Sequence, residues 1–425
     1  MVTHRLTGYG YFVSEIKKIM KTKLFSILAA SALAFTSCTD ENPNPNPVKG
    51  DKDLSGEITA NMKLDPNFEY NLVGKLTVKA GVTLEIPAGT KIKAKNGGTG
   101  IFIAVLPGAK LIAQGTAEKP IIFTSASATP KEGDWGGIIL NGKAPISGPA
   151  GVVATNNAEM DTNVKYGGAD ANDNSGIIEY VKIEYTGARI DEKKEHNGLT
   201  LNGVGRGTKL NQIHFRYAGD DAIEFFGGTV DASNLLVENC SDDMFDMTEG
   251  YSGTLTNLYG VREKGYSDIT SDPRGIEADG NYDGKGPTHI NQSNFKINGI
   301  TIVNNALDIV DDKGVATAKM MTEVFKIRRL ATATITNAYV KLGPGATAHA
   351  LIDLGAYKKD DAGNTTTEIN VNESANTKTT IAYTINPANG LDKVKIVNPL
   401  NIPLTPGASN TGATTSAFSW TGYKF

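Results

Sequence analysis

The sequence predicts an all-β fold, a parallel β-helix, and three observations predict it. Short runs that alternate apolar and polar residues follow one another through the body of the chain. One is "KLTVKAGVTLEIPAGTKIKA", with Leu76, Val78, Val82, Leu84, Ile86 and Ile92 as its apolar set. A period of two with turn residues between runs is the pattern of strands. The runs also recur at a fixed interval. "NGLTLNG" from Asn197, "DAIEFFG" from Asp221 and "DMFDMTEG" from Asp243 lie 24 and 22 residues apart. "NQIHFRYAG" from Asn211, "SNLLVENCS" from Ser233 and "TNLYGVRE" from Thr256 lie 22 and 23 apart. Finally, the breaks between runs are Gly, Asn and Asp, and Gly alone accounts for 47 of 425 residues. Two in-phase series of this period mean one supersecondary unit per repeat, stacked as a solenoid. Propeller blades need roughly 40–50 residues each, and a sandwich does not keep two such series in phase. Sustained helical periodicity is missing; "TAKMMTEVFKIRRL", from Thr317, is the best helix candidate and it is short.

The elements follow in order. From Met20 the chain reads "MKTKLFSILAASALAFTSC": Lys21 and Lys23, then a twelve-residue apolar run from Leu24 to Phe35, then Thr36, Ser37 and Cys38. Twelve apolar residues fall short of the roughly 20 a spanning helix needs, and the pattern is that of a secretory signal peptide. Residues 1–37 are therefore expected to be the signal, with the working start at Met20. Cys38 after small residues resembles a bacterial lipobox and is the expected lipidation site, although Phe35 stands where Leu is usual. Residues 38–55, with "TDENPNPNPVKGDKD", read as a lipidated flexible tether. Residues 56–345 carry the repeat. Residues 346–425 repeat more weakly and are expected to form final irregular turns or a β-cap, with Trp420 closing the open end of the coil. Removing residues 1–38 takes away five basic residues and one acid and leaves a net charge of −8, which does not favour nucleic acid. Cys240 is then the only thiol besides Cys38, and it lies in an apolar run as a small buried hydrophobe.

"GDWGGIILNGKAPI", "YGGADANDNSGIIEYVKIEYTG", "NGLTLNGVGRGT", "DDAIEFFGGTV", "DDMFDMTEGYSG" and "RGIEADG" together resemble a family of secreted or lipid-anchored Bacteroidetes proteins. That family is similar to right-handed, single-stranded parallel β-helix proteins of the pectate-lyase-like group. The resemblance covers roughly residues 70 to 345 and, more loosely, the chain to its end. It implies the fold and an outer-membrane, cell-surface location; the family has no established activity.

The densest chemistry lies in Gly219–Met247. Asp220–Asp221 and Asp242–Asp243 sit 22 residues apart, each pair followed by a further acid, Glu224 or Asp246, with a weaker echo at Glu277 and Asp279. Stacked turns lie roughly 4.8 Å apart, so equivalent acids on successive turns crowd, which raises their pKa values or recruits a cation. Three readings stay open. The aspartates bond backbone N–H groups at corners of the coil; the acids bind Ca²⁺ or another ligand; or paired carboxylates cleave a glycosidic bond. Pectate-lyase-like enzymes add a basic proton acceptor, for which Arg216 or Arg262 could be proposed. Asp170, Asn172 and Asp173 in "GGADANDNSG" form a second candidate metal loop, but Val181 stands at the twelfth position, where the EF-hand pattern has Glu. Trp135, in "DWGGIIL", is either a sugar-stacking platform or a packing residue at a strand entry. His196, His214, His289 and His349 lack metal-ligand spacing, and His214 alternates with Ile213 and Phe215 onto an outer face. The expectation is a non-catalytic surface lipoprotein, held to the outer membrane by its lipid, whose β-helix binds polysaccharide or a surface protein. The alternatives are a polysaccharide lyase or glycoside hydrolase using the acids of 220–246, with Ca²⁺ as the candidate cofactor, and a structural or adhesive envelope protein.

Overall fold

The computed structural model describes residues 51–191, 194–359, 365–368, 379–385, 395–398, 403–407 and 409–425. The signal, Cys38 and most of the tether lie outside the described residues. Twenty-four strands join in one hydrogen-bonded network, and every pairing within it is parallel. Three faces repeat along the coil. In one representative turn, the strand Lys209–Ala218 supplies faces one and two by bending at Gln212, and Ile223–Phe226 supplies face three. The next turn repeats this with Ala232–Cys240 and Phe245–Thr248, and the one after with Thr254–Arg262 and Ile276–Asp279.

The bend between faces one and two falls at a register-equivalent residue in six successive turns: Tyr180, Gln212, Asn234, Asn257, Gly299 and Asn337, with φ between 51° and 78°. A left-handed φ costs most L-residues roughly 1–2 kcal/mol, and Gly and Asn least. Asn also repays the bend by hydrogen bonding. Asn257 Nδ2 donates to Asn234 Oδ1 (2.7 Å), and Asn234 Nδ2 donates to Asn211 Oδ1 (2.8 Å). Between bends, the alternating apolar residues point inward and stack: Leu199, Ile223, Phe245, Ile276 and Phe325 form one continuous row on face three, all fully buried. Burial of this kind contributes roughly 1.5–3 kcal/mol per large side chain.

Two expectations are corrected, a helix from Thr317 and Trp420 as a cap on the open end. "TAKMMTEVFKIRRL" is not helical. Glu323–Arg328 is a face-three strand, because Phe325 and Ile327 continue the inward rows set by Ile276 and Ala278. The parallel ladders extend past residue 345, through Ala350–Asp353, Thr380–Ile385, Lys395–Val397 and Leu404–Pro406. Trp420 does not close an end of the coil. The segment from Thr411 runs back along the outside of the bend ladder as a strap. Asn337 Oδ1 accepts from Thr411 N (2.6 Å), Thr301 Oγ1 from Ala413 N (2.9 Å), Asn257 Oδ1 from Thr414 N (2.6 Å) and Gln212 Oε1 from Trp420 Nε1 (2.7 Å). Outward polar groups of the bend and, at Thr301, of face two are the strap's docking points, which an end of the coil does not offer.

Candidate functional site: a carboxylate cavity on face three

The outward row of face three changes character along the coil. It reads Ala104, Ile139, Thr200, Glu224, Asp246, Glu277, Lys326 in successive register. Three acids therefore lie on adjacent turns, roughly 4.8 Å apart by strand spacing. The corner leading into this face adds Asp220–Asp221 on one turn and Asp242–Asp243 on the next. Strict alternation would send one member of each pair away from the other. At this corner it fails, and all four aspartates border the same cavity of about 190 Å³ with Glu224, Asp246 and Glu277. Two more acids arrive from insertions, Glu195 and Glu159. Glu159 sits on the hairpin Asn156–Ala158/Asp161–Tyr166, which rests on a small apolar cluster of Ile146, Ala158, Tyr166 and Phe226.

Some of these carboxylates are satisfied locally. Asp221 Oδ1 accepts Asp243 N (2.9 Å), bracing one turn against the next, and Asp242 Oδ1 accepts Thr270 Oγ1 (2.7 Å). Glu224 accepts Asn197 Nδ2 (2.5 Å). Asp220 Oδ1, Asp243 Oδ1 and Asp246 Oδ1 are buried without a hydrogen-bond partner, on residues only 6, 2 and 9% exposed. Cations gather at one end. Arg274 faces Asp243 (3.5 Å), Asp272 (2.7 Å), Glu277 (3.2 Å) and Glu323 (3.0 Å), and Arg328 faces Glu277 (2.5 Å) and Asp279 (2.9 Å). Burial raises Glu277, but Arg274 and Arg328 outweigh it and hold the carboxyl down to about 2. On the two preceding turns the pull of the arginines is too weak to offset burial. Burial, reinforced by neighbouring carboxylates, pushes Asp220, Asp221, Glu224 and Asp246 well above the usual range. Burial also pushes up Asp243, against the pull of Arg274, and Asp242 to about 6. Three trios bring one oxygen from each member within 4.8 Å of the others: Glu195, Asp220 and Asp242; Asp221, Glu224 and Asp246; and Asp221, Asp242 and Asp243. An all-carboxylate donor set suits a hard divalent cation with relaxed geometry, Ca²⁺ above all.

The other candidates part from this cavity. Trp135 offers no platform. It is 1% exposed, its Nε1 donates to the Glu184 carbonyl (2.8 Å), and its ring stacks on Phe123 inside the coil. Asp170, Asn172 and Asp173 lie outside the acidic cavity and bond within their own loop. Asp170 Oδ1 accepts Asn172 N within its own turn (3.0 Å), and buried Asp173 accepts Ser175 Oγ (3.3 Å). Arg216 is held on face two by Glu238 (2.8 Å) and Glu184 (3.3 Å). Arg262 is fully buried against the backbone carbonyls of Cys240 and Asp242. Neither arginine is placed as a base. His214 does point outward beside Glu238, yet it is buried, because the strap at Thr421–Lys424 closes over it. Cys240 is fully buried, and its thiol is pushed up to about 12 by that burial.

The architecture defines a class: a parallel β-helix with a carboxylate-lined cavity on one outer face. The chain belongs to the family described as the pectate-lyase like beta helix domain, whose profile matches residues 56–421. No curated protein and no solved structure gives a match.

Proposed function

We propose that this chain is an exported, lipid-anchored β-helix that holds Ca²⁺ in the face-three cavity and uses it to bind an extracellular polysaccharide. The observation that supports this reading best is the set of buried, unpartnered carboxylate oxygens on Asp220, Asp243 and Asp246. Leaving such oxygens buried and bare costs several kcal/mol each unless a proton or a cation meets them. Acids drawn from two successive turns and two insertions make a set that no single turn needs for its own backbone. A cation held there keeps coordination positions for hydroxyl or carboxylate oxygens of a glycan. Attachment through Cys38 at the outer membrane belongs to the same reading and rests on the lipobox-like stretch.

The test is calcium titration of the chelator-stripped chain, read by calorimetry and thermal midpoint. Saturable binding that stabilises the fold is expected. It should disappear in Asp221→Asn/Asp246→Asn, and Mg²⁺ should substitute poorly because it demands stricter geometry. Absence of binding in the parent chain would overturn the cation reading. Cys38→Ser should move the protein from the membrane to the soluble fraction; an unchanged distribution would remove the anchor.

A hydrolase is the second reading, favoured by Asp242. A carboxyl pushed up to about 6 beside other acids suits a general acid near neutral pH. An elimination mechanism is less well served, since Arg274 is already shared among four acids. New reducing ends released from a polysaccharide panel, and lost in Asp242→Asn, would select hydrolysis over binding alone.

A further inference from the structure

A second concavity, of about 350 Å³, lies at the opposite edge of face three, where the chain turns back toward face one. Its walls come from the insertion after Lys143 and from the loop 281–290. That volume falls within the usual range for small-ligand pockets, which combine an apolar wall with a few convergent polar groups. The wall here is Ile146, Pro149, Val152, Val153 and Ala154, and the polar groups are Ser147, Asn156, Glu249, Lys285 and His289 beside the Tyr282 ring.

Glu249 is the informative residue. Its register equivalents on the two preceding turns are Gly203 and Gly227, with φ 56° and 66°. Glu249 keeps the same left-handed turn, φ 52°, at the steric cost of a side chain. Its buried carboxylate accepts Asn156 Nδ2 (2.8 Å) and the Tyr166 hydroxyl. Both donors come from the hairpin, so the insertion and the coil meet on this carboxylate at the pocket floor. Ser147 Oγ and His289 Nδ1 are buried without hydrogen-bond partners, although Ser147 N is anchored to the Glu249 carbonyl (2.8 Å). At the mouth, Val152 and Val153 are 61 and 62% exposed, and Lys285 Nζ lies 4.8 Å from the centre of the Tyr282 ring.

We infer that this pocket binds a neutral sugar, one or two rings of a glycan. The buried carboxylate and the lysine ammonium oppose each other in sign, so the pocket has no net charge to draw a charged ligand in preference to a neutral one. Exposed Thr155 and Lys285, both on the pocket lining, offer a hydroxyl and an ammonium to ring hydroxyls. The valine and alanine wall suits the C–H face of a sugar ring. The pocket is distinct from the acidic cavity but neighbours it: the Tyr282 hydroxyl donates to Glu159 Oε1 (2.9 Å), and Glu159 borders that cavity. Its occupancy does not depend on a cation there.

The test is saturation-transfer NMR on the full chain in excess EDTA, with glucose, galactose, N-acetylglucosamine and galacturonic acid as separate probes. Transfer to at least one of the neutral sugars, stronger than to galacturonic acid, is expected. Val153→Trp, which plugs the mouth from an exposed position, and Lys285→Met should each cut that signal at least fivefold without lowering the thermal midpoint by more than a few degrees. The inference is overturned if no neutral sugar shows transfer, if galacturonic acid is preferred, or if the signal survives in both variants.

Discussion

At the scale of single residues, the protonation of a few buried acids governs the molecule. Asp220, Asp221, Glu224, Asp242, Asp243 and Asp246 all have carboxyls raised by burial, most of them further by one another. A carboxyl whose folded-state pKa lies above its unfolded value binds more protons when folded. Its contribution to stability is therefore full below the unfolded value and is lost as pH rises through the folded one. In chelator, the thermal midpoint should accordingly fall between pH 4 and 7, with Asp242 titrating near 6. With saturating calcium the dependence should reverse over that window, because protons displace the cation. A midpoint that moves identically with and without calcium would disconnect these acids from metal. The same electrostatics sets the sign for Asp246→Asn. Two unit charges at 4 Å repel by roughly 1–4 kcal/mol between aqueous and surface-like dielectric values. The variant should be more stable than the parent in chelator and less stable than the parent in calcium, by paired melts. Part of this site was legible beforehand. The two Asp–Asp pairs, Glu224 and Asp246 sit in the regular repeat, and Glu277 appeared as an echo. Glu159 and Glu195 come from insertions that have no place in the 22-residue period, so spacing could not bring them to the cavity. Trp135 was ambiguous for a different reason: flanking glycines permit either an exposed ring or close packing, and only the tertiary surroundings decide.

At the scale of the element, the bend between faces one and two sets the geometry of the six turns from Tyr180 to Asn337. Its residues need a left-handed φ and an outward polar group, and Asn answers both requirements. Asn257 should therefore tolerate Gly better than Val. Asn257→Gly keeps the conformation and loses the side-chain bonds to Asn234 and Thr414, whereas Asn257→Val also forces a β-branched residue to φ 61°. Val should cost roughly 1–2 kcal/mol more than Gly. Urea denaturation can measure this, together with hydrogen exchange at the amides of Leu235 and Leu258, which resolves a local loosening from a global one. Equal costs would mean that the side-chain bonds alone hold the bend. The coil itself was readable because each turn repeats the same demands: apolar residues at inward positions and Asn, Gly or Asp at corners. The stretch from Thr317 to Leu330 shows where such reading fails. Its Met, Glu, Lys and Arg favour a helix locally, and only the inward rows already set by Ile276 and Ala278 make it a strand.

At the scale of the whole molecule, the strap joins turns that are far apart in sequence, and it does so over an apolar surface that a solenoid face would otherwise expose. On face two the outward row runs His214, Leu236, Tyr259, Thr301. Leu236 and Tyr259 are buried because Phe418 packs on them with Val261 and Val303. Around that contact the strap bonds to Thr301, Asn257 and Gln212, and the Thr421 carbonyl accepts Lys182 Nζ (2.7 Å). Because a solenoid's turns contact only their neighbours, stability is close to a sum of local terms. A strap spanning several turns couples those terms and should make unfolding more cooperative. Phe418→Asp tests this. The charge cannot stay against Leu236 and Tyr259 without a partner, so the strap should detach while the ladders beneath it remain. Trp420 is half-buried on the strap and Trp135 is fully buried in the coil, and these are the chain's two tryptophans. The expected result is a red-shifted, partly quenched emission from one of the two, binding of a hydrophobic dye to the uncovered face, and unchanged far-ultraviolet circular dichroism. The urea transition should broaden as the turns lose their common tie. An unshifted emission with no dye binding would mean that the polar contacts from Thr411 to Thr414 hold the strap in place without Phe418.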